Sequence, residues 1–208
     1  MKGSRRYWPH AAALLTLMTV AAWTIRALGS GVTAPPAAQS TRPAQGVMPQ
    51  YDKSGALLLP EDYRRWIMVG ASLGLSYAEG PASHEMFAHT LMEPTAYRYF
   101  VETGTFREGT MFALLLQGTG DKVLPARRGQ FANEVHGVEM AVKDSSHVPE
   151  GWAYYGFAGT GAAVRSTAPA EPKNSCFTCH AEHAARDHVF LQFYPLLTDA
   201  AAAGAKGH

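Results

Sequence analysis

The residues best suited to chemistry lie near the C-terminus, where positions 174–180 read N-S-C-F-T-C-H. Cys176 and Cys179 are the only two cysteines of the 208-residue chain, and His180 directly follows the second. Two thiols one helical turn apart can each add to a vinyl group of a haem, which leaves the histidine under the porphyrin, where its imidazole can bind the iron. The spacing therefore predicts one covalently attached c-type haem with His180 as its axial ligand.

Other uses of the two cysteines fit the sequence less well. A thioredoxin-like redox pair needs a βαβ setting, and no such pattern surrounds this motif. A structural zinc site needs two further ligands, which only histidines or carboxylates remain to supply. A disulfide across two intervening residues would close a very short loop and add little stability. The haem interpretation is therefore preferred.

The N-terminal residues 1–31 have the pattern of an export signal. A basic start is followed by an apolar run, Ala11–Ile25, and then by small residues. The run is shorter than the roughly 20 residues of a membrane span, which favours a cleaved signal peptide. Trp23 and Arg26 disturb the end of the run, so an uncleaved N-terminal anchor is the alternative. Either one predicts that the folded domain lies in the periplasm, on the side of the membrane where c-type haem is attached.

The rest of the chain divides by composition into three parts. Residues 32–50 are rich in Pro, Ala, Gln, Thr and Ser, which predicts a disordered linker. Residues 51–199 have the length of one ordinary domain, and residues 200–208 are predicted to be a flexible Ala/Gly tail. The formal net charge is +1, and no basic stripe with interleaved aromatic residues occurs. The sequence therefore predicts no nucleic-acid partner.

Two helices are predicted in the first half of the domain. The first begins at Pro60, because proline suits the first helical position and Glu61 and Asp62 favour the positive end of the helix dipole. Glycine-rich sequence between Gly70 and Gly80 is predicted to end it. The second runs from Pro94 to Gly104, with aromatic and aliphatic residues at helical spacing between a starting proline and a terminating glycine.

The second half of the domain predicts strands and then a helical segment. Thr110–Leu116 is almost wholly apolar, Val138–Lys143 alternates apolar and polar residues, and Gly151–Phe157 is rich in aromatic residues. Ala181–Leu197 has apolar residues at helical spacing. The predicted fold class is α+β: an antiparallel sheet flanked by helices, with a C-terminal helical segment that carries the C-x-x-C-H motif.

Several motifs occur in a distinctive order along residues 57–195. They are P-E-D-Y-R-x-W (60–66), a histidine-to-proline stretch (89–94), T-G-x-F-x-x-G-T (103–110), A-V-K-D (141–144), G-W-A-Y-Y-G-F (151–157), C-F-T-C-H (176–180) and F-x-x-F-Y-P (190–195). Together they resemble the cytochrome P-460 family, which also contains the cytochromes c′-β. The resemblance implies a periplasmic, mainly β-sheet haem protein, usually a homodimer, with proximal ligand His180 and an open distal face.

The resemblance also implies two functional branches, which differ in one lysine. In cytochromes P-460 proper, a lysine is cross-linked to the haem edge, and the enzyme oxidises hydroxylamine and passes electrons to a soluble c-type cytochrome. In cytochromes c′-β the cross-link is missing, apolar residues cap the distal face, and the proteins bind nitric oxide. The lysines here are Lys2, Lys53, Lys122, Lys143, Lys173 and Lys206. None lies between Lys53 and Lys122, where the family pattern places the cross-linking residue, and this favours the nitric oxide binder.

The distal side of the haem has several candidates in the sequence. Candidates for its wall are Phe87, Met111, Phe112 and Tyr155. His89 is a candidate for a distal role, with a hydrogen-bonded core histidine as the alternative. Glu134, Glu139 or Tyr155 could supply the base that hydroxylamine oxidation needs. Packing in the sheet core is the alternative role for the apolar candidates, and a solvated position is the alternative for the carboxylates. A methionine or second histidine on the iron would instead give a six-coordinate electron carrier.

Overall fold

The computed structural model describes residues 46–76, 80, 85–121, 123–125, 127–158 and 163–205. The predicted signal peptide, residues 1–31, and all but the end of the predicted linker, residues 32–50, lie outside this part of the chain. Lys122 lies outside it as well. Within the described residues, no helix combines the length and apolar character needed to cross a membrane.

The described residues form an α+β fold built on a five-stranded antiparallel sheet, which confirms the predicted fold class. The elements in chain order are β1 (Leu57–Leu58), β2 (Ile67–Leu73), β3 (Phe87–Met92), α1 (Pro94–Thr103), β4 (Met111–Asp121), β5 (Gln130–Lys143), β6 (Trp152–Gly156), β7 (Thr167–Ala168), α2 (Phe177–His183) and α3 (Pro195–Ala205). Strands β2 to β6 are neighbours in sequence order, and β1 pairs separately with β7. Each pairing is antiparallel.

Four of the predicted elements are confirmed. Helix α1 begins at Pro94 and ends at Thr103, and the following Gly104 has a φ of 69°, the left-handed conformation that glycine adopts without steric cost. The carboxylate of Glu93 accepts hydrogen bonds from the backbone N–H groups of Thr95 and Ala96 and so caps the helix. The three predicted strands correspond to β4, β5 and β6, although β4 and β5 extend further and pair as far as Asp121 with Gln130.

The helix predicted to begin at Pro60 and to end between Gly70 and Gly80 is wrong. Only Tyr63–Arg65 forms a 3-10 turn, and the following residues form the edge strand β2. Gly70 does not end a helix but admits an aromatic ring, because a Cβ there would lie 2.6 Å from Cδ1 of Tyr194. Strand β3, the partner of β2, has no counterpart in the sequence prediction.

The single helix predicted over Ala181–Leu197 is also wrong. The chain forms α2, a 3-10 turn at Leu191–Phe193, and α3, which starts at Pro195. Between α2 and the 3-10 turn, Asp187 and His188 have φ values of 44° and 60°, which no continuous right-handed helix can contain. Helix α3 extends through Ala205, so it includes residues 200–205 of the predicted tail.

The sheet separates two apolar layers. Because side chains alternate along a strand, Met111 and Phe112 lie on opposite faces. Met111, Val138 and Tyr155 belong to the layer that also contains β1 and β7. Phe112 and Trp152 belong to the layer beneath α1 and α3. Helix α2 lies over this second face, and its side chains define the candidate site.

Candidate functional site

Two adjoining cavities, of about 300 and about 360 Å³, lie between α2 and the sheet. Both volumes are in the range of small-molecule binding sites. Six residues line both cavities: Thr90, Leu114, Glu139, Cys176, His180 and Tyr194. The shared lining shows that the two spaces are parts of one cleft, with α2 on one side and strands β3 to β5 on the other.

Helix α2 presents the C-x-x-C-H side chains to this cleft. Cys176 occupies the N-cap position of the helix, and Cys179 lies one turn later. Both thiols are free, and Cys179 lines the second cavity. Burial, reinforced by the nearby carboxylates of Glu139 and Glu171, raises the pKa of the Cys176 thiol. Both side chains therefore border the cleft with neither sulfur engaged in a disulfide, which is what thioether formation with two vinyl groups requires.

The imidazole of His180 is held in one tautomer. Its Nδ1 lies 2.8 Å from the carbonyl oxygen of His188, and because a carbonyl can only accept, Nδ1 carries the proton. Nε2 is then the nitrogen with a free electron pair for a metal. The rings of Tyr154 and Phe190 flank the imidazole at centroid distances of 4.3 and 4.4 Å. Burial lowers the pKa of His180, which favours the neutral form that binds iron.

The opposite wall of the cleft comes from a row of cross-strand neighbours. Thr90 on β3, Leu114 on β4, Glu139 on β5 and Gly156 on β6 are paired in register across four strands and all line the first cavity. Phe112 lies two residues from Leu114 on the same face of β4 and also lines this cavity. The wall is therefore mainly apolar, with one carboxyl group and one hydroxyl group facing α2.

Glu139 has a second carboxylate for a neighbour. Glu171 lines the same cavity, and the absence of a side chain at Gly156 makes room for it, because a Cβ there would lie 2.8 Å from Oε1 of Glu171. Burial raises the pKa of Glu139 above its usual range, and the charge of Glu171 adds to the shift. A carboxyl group of this kind can exchange protons with a molecule in the cleft closer to neutral pH than an ordinary glutamate.

The structure brings together some of the residues predicted from the sequence. Cys176, Cys179, His180, Phe112 and Glu139 all line the cleft. The donor set fits a c-type haem, since two thiols on one helical turn, a neutral imidazole and flanking aromatic rings surround a cleft of small-molecule size. Among the described residues, no group of three or more His, Cys, Asp and Glu side chains is arranged to hold a bare metal ion.

Four other predicted residues pack on the opposite face of the sheet, and three of them, Phe87, His89 and Met111, line neither cavity. Phe87 and His89 stack on each other with ring centroids 5.9 Å apart, and Nδ1 of His89 is 2.9 Å from Oε1 of Gln117. Met111 is fully buried in the layer beneath β1 and β7. Tyr155 borders the first cavity, but its ring packs in that same layer, 6.3 Å from the ring of Tyr51.

Glu134 lies at the far end of the β4–β5 hairpin. It lines a separate cavity together with Glu85 and His136. This position separates it from α2 and from the C-x-x-C-H side chains, none of which lines that cavity. Of the two candidate carboxylates, only Glu139 therefore faces the cleft.

Sequence reasoning missed several residues of the cleft. Thr90, Leu114, Tyr154, Glu171 and Tyr194 were not candidates, although all five line it. Leu114 could be predicted from the alternation of side chains along a strand, because it lies two residues from the candidate Phe112. Thr90 lines the cleft because β3 pairs with β4, Glu171 because of the path of the chain after β7, and Tyr194 because the chain breaks before α3. No local pattern indicated these features.

No lysine lines either cavity of the cleft, within the part of the chain that the structure describes. Lys143 lies on the same face of β5 as Glu139, but its Nζ is 2.5 Å from Oδ2 of Asp187. Lys173 forms an ion pair with Glu150. These contacts account for Lys143 and Lys173, whereas Lys206 lies outside the described residues.

The chain matches a known protein family. The family model described as Cytochrome P460 matches residues 60–191, which is more than half of the chain. The matched region contains the whole five-stranded sheet, α1 and α2, and therefore every strand of the cleft wall and the C-x-x-C-H motif. No curated protein matches the chain.

Proposed function

The chain belongs to the cytochrome P460 family, whose members are c-type haem cytochromes, and on this premise we propose that it is a mono-haem protein that binds a small nitrogenous ligand such as nitric oxide. Cys176 and Cys179 would hold the haem through two thioethers, and His180 would bind its iron. When bound, the haem supplies an iron centre that can take a ligand or an electron. The sheet wall supplies the surroundings of that ligand.

The composition of the sheet wall is the observation that carries this proposal. Among the described residues that line the cleft, His180 is the only histidine, and the only methionine is Met140. Met140 is 1% exposed and belongs to the layer on the opposite face of the sheet. A six-coordinate electron carrier needs a second protein ligand such as methionine or histidine. Phe112 and Leu114 instead offer an apolar surface, which favours small neutral ligands.

The optical spectrum of the haem-loaded protein tests this proposal directly. We expect a high-spin spectrum, in both oxidation states, that changes when nitric oxide is added. The physical reason is that, within the described lining, the wall facing His180 offers no histidine, and its one methionine, Met140, is buried. A sharp low-spin spectrum that is indifferent to nitric oxide would contradict the proposal and select the electron carrier. A strongly red-shifted reduced Soret band would instead indicate a lysine cross-link.

Oxidation of hydroxylamine is a second candidate function, and Glu139 is the observation that favours it. Oxidation of hydroxylamine releases protons together with electrons, so the reaction benefits from a base beside the substrate. The carboxyl group of Glu139 faces the cleft, and Glu171 provides a second acceptor next to it. The electrons would leave to a soluble c-type cytochrome. The absence of a lysine from the described lining opposes the cross-linked form of such an enzyme.

Glu139→Gln separates the two candidates. If the protein oxidises hydroxylamine, the variant should lose about 100-fold or more of the rate, because a positioned base contributes roughly 10²–10⁴-fold. Since the pKa of Glu139 is raised, the wild-type rate should increase as pH rises through a value above the ordinary glutamate range, and the variant should lack this dependence. The measurement is the steady-state rate of reduction of a soluble c-type cytochrome against pH.

The matched control is Glu134→Gln, which makes the same chemical change at a carboxylate that lines a different cavity. Its rate and pH profile should match those of the wild type. Nitric oxide binding should persist in both variants, because it consumes no proton. Equal rates for Glu139→Gln and wild type would exclude Glu139 as the base.

Export and dimerisation belong to the same proposal. The support for export to the periplasm is the basic and apolar pattern of residues 1–31. The support for a homodimer is the family to which the chain belongs. Cell fractionation with N-terminal sequencing tests the first and decides between a cleaved signal and an anchor, and light scattering of the haem-loaded protein tests the second.

A further inference from the structure

A strained turn follows the C-x-x-C-H helix. Among the described residues other than glycine, only Asp187 and His188 have positive φ, at 44° and 60°. Left-handed backbone is costly for residues with a Cβ, and it persists where surrounding contacts enforce it. The turn is closed by Arg186 and Val189, whose backbones bond to each other.

This turn aims one carbonyl group at the axial histidine. The carbonyl oxygen of His188 accepts from Nδ1 of His180 at 2.8 Å and from the hydroxyl of Tyr154 at 3.3 Å. The ring of His188 stacks on Phe177 of α2 at a centroid distance of 4.8 Å. The carbonyl reaches His180 because the chain reverses within two residues, and this reversal is what the left-handed conformation provides.

The side chain of Asp187 ties the turn to the sheet. Its Oδ1 accepts from the indole Nε1 of Trp152 at 3.1 Å, and its Oδ2 accepts from Nζ of Lys143 at 2.5 Å. Trp152 is only 2% exposed, so the indole is a rigid anchor on β6. Lys143 lies opposite Trp152 on β5, and its ammonium group is 5.9 Å from the indole centroid. One carboxylate therefore joins the turn to two neighbouring strands.

We propose that Asp187 is a positioning residue for His180. By bonding Trp152 and Lys143, it holds the left-handed turn so that the His188 carbonyl keeps its bond to Nδ1 of His180. This inference rests on the proposed function, because it takes His180 as the haem ligand. A hydrogen bond from Nδ1 raises the basicity of the imidazole and so strengthens its bond to iron and favours the oxidised state. Asp187 would thus influence the iron without contacting the haem.

The test is Asp187→Ala in the haem-loaded protein. We expect the iron–histidine stretching frequency of the reduced protein, measured by resonance Raman spectroscopy, to fall and the reduction potential to rise. Both shifts follow from a weaker bond between His180 and the His188 carbonyl. Covalent haem content should be unchanged, because both cysteines remain. A merely structural role would lower thermal stability without moving the frequency or the potential.

Two further variants test the direction of these shifts and the hydrogen bonds that cause them. Asp187→Asn keeps an oxygen for the indole of Trp152 but loses the charge that pairs with Lys143, so its shifts should be in the same direction and smaller. Tyr154→Phe removes the second donor to the same carbonyl and leaves the acceptor to His180 alone. In Tyr154→Phe the iron–histidine stretching frequency should rise and the reduction potential should fall, which is opposite to the shifts expected for Asp187→Ala.

The outcomes distinguish this inference from the proposed function. A wild-type protein without covalent haem would overturn the proposed function itself. A wild-type protein with haem whose frequency and potential are unchanged in Asp187→Ala would overturn only the positioning role. If Asp187→Ala does not fold, Trp152→Phe keeps most of the buried volume and removes only the indole donor. It should then give the same direction of shift, and unchanged values would again overturn the inference.

Discussion

Replacing both Cys176 and Cys179 with alanine is expected to abolish covalent haem binding completely. The chain has no other cysteine, so no thioether can form in the double variant. The measurement is haem staining of the protein after denaturing electrophoresis, where only covalently bound haem stays with the polypeptide. Either single variant should keep one thioether and remain stained. Its pyridine haemochrome band should move to longer wavelength, because one vinyl group stays conjugated with the porphyrin.

Ser175→Ala is the matched control for the cysteine variants. It changes a neighbouring side chain that lines the second cavity but forms no bond to haem in the proposal. Its staining should equal that of the wild type. His180→Ala separates attachment from ligation, because it should keep the thioethers while the iron loses its protein ligand. A stained band in the double cysteine variant would show that the haem is attached elsewhere and would contradict the proposed site.

Phe100→Ala is expected to lower the free energy of unfolding by about 3–5 kcal/mol, the usual cost of removing a buried phenyl group. Phe100 is 1% exposed on α1, and its ring stacks on Phe106 with centroids 4.5 Å apart. Phe106 in turn meets the edges of Phe112 and Trp152. The cavity left by the substitution would therefore open in the layer that supports the cleft.

The measurement for Phe100→Ala is the urea denaturation midpoint of the haem-loaded protein, with the m-value checked to remain constant. Tyr99→Ala is the matched control, because the preceding residue on the same helix is 37% exposed. The control should cost less than about 1 kcal/mol, which is typical of surface substitutions. Equal losses for the two variants would show that the layer beneath α1 does not stabilise the domain as its packing indicates.

Local sequence patterns predicted those elements whose limits are set by nearby residues. Helix α1 lies between a proline that suits its first position and Gly104, which adopts the left-handed conformation after its end. Four aromatic residues within Gly151–Phe157 predict strand β6. In both cases the residues that favour the element lie within it or directly beside it, so the sequence alone is enough to predict the element.

Patterns failed where a distant residue decided the local structure. The glycine-rich residues between Gly70 and Gly80 predict the end of a helix, whereas Gly70 allows strand β2 to approach the ring of Tyr194, which lies 124 positions further along the chain. The apolar residues of Ala181–Leu197 suit a helical face, yet the chain reverses at Asp187 and His188. At that point the contacts of Asp187 with Trp152 and Lys143, which belong to strands, outweigh the local preference for a helix.

The sequence by itself determined which atoms can hold a haem. The chemistry of attachment depends only on the types and spacing of Cys176, Cys179 and His180, all within five residues of one another. The tertiary structure alone decided what faces those atoms. Alternation places Glu139 and Val138 on opposite faces of β5 but does not say which face lies under α2. Glu139 pairs with Leu114, and α2 packs over that face of the sheet, so the carboxyl group lies in the cleft. Strand register depends on burial of the whole sheet and therefore on residues far apart in the chain.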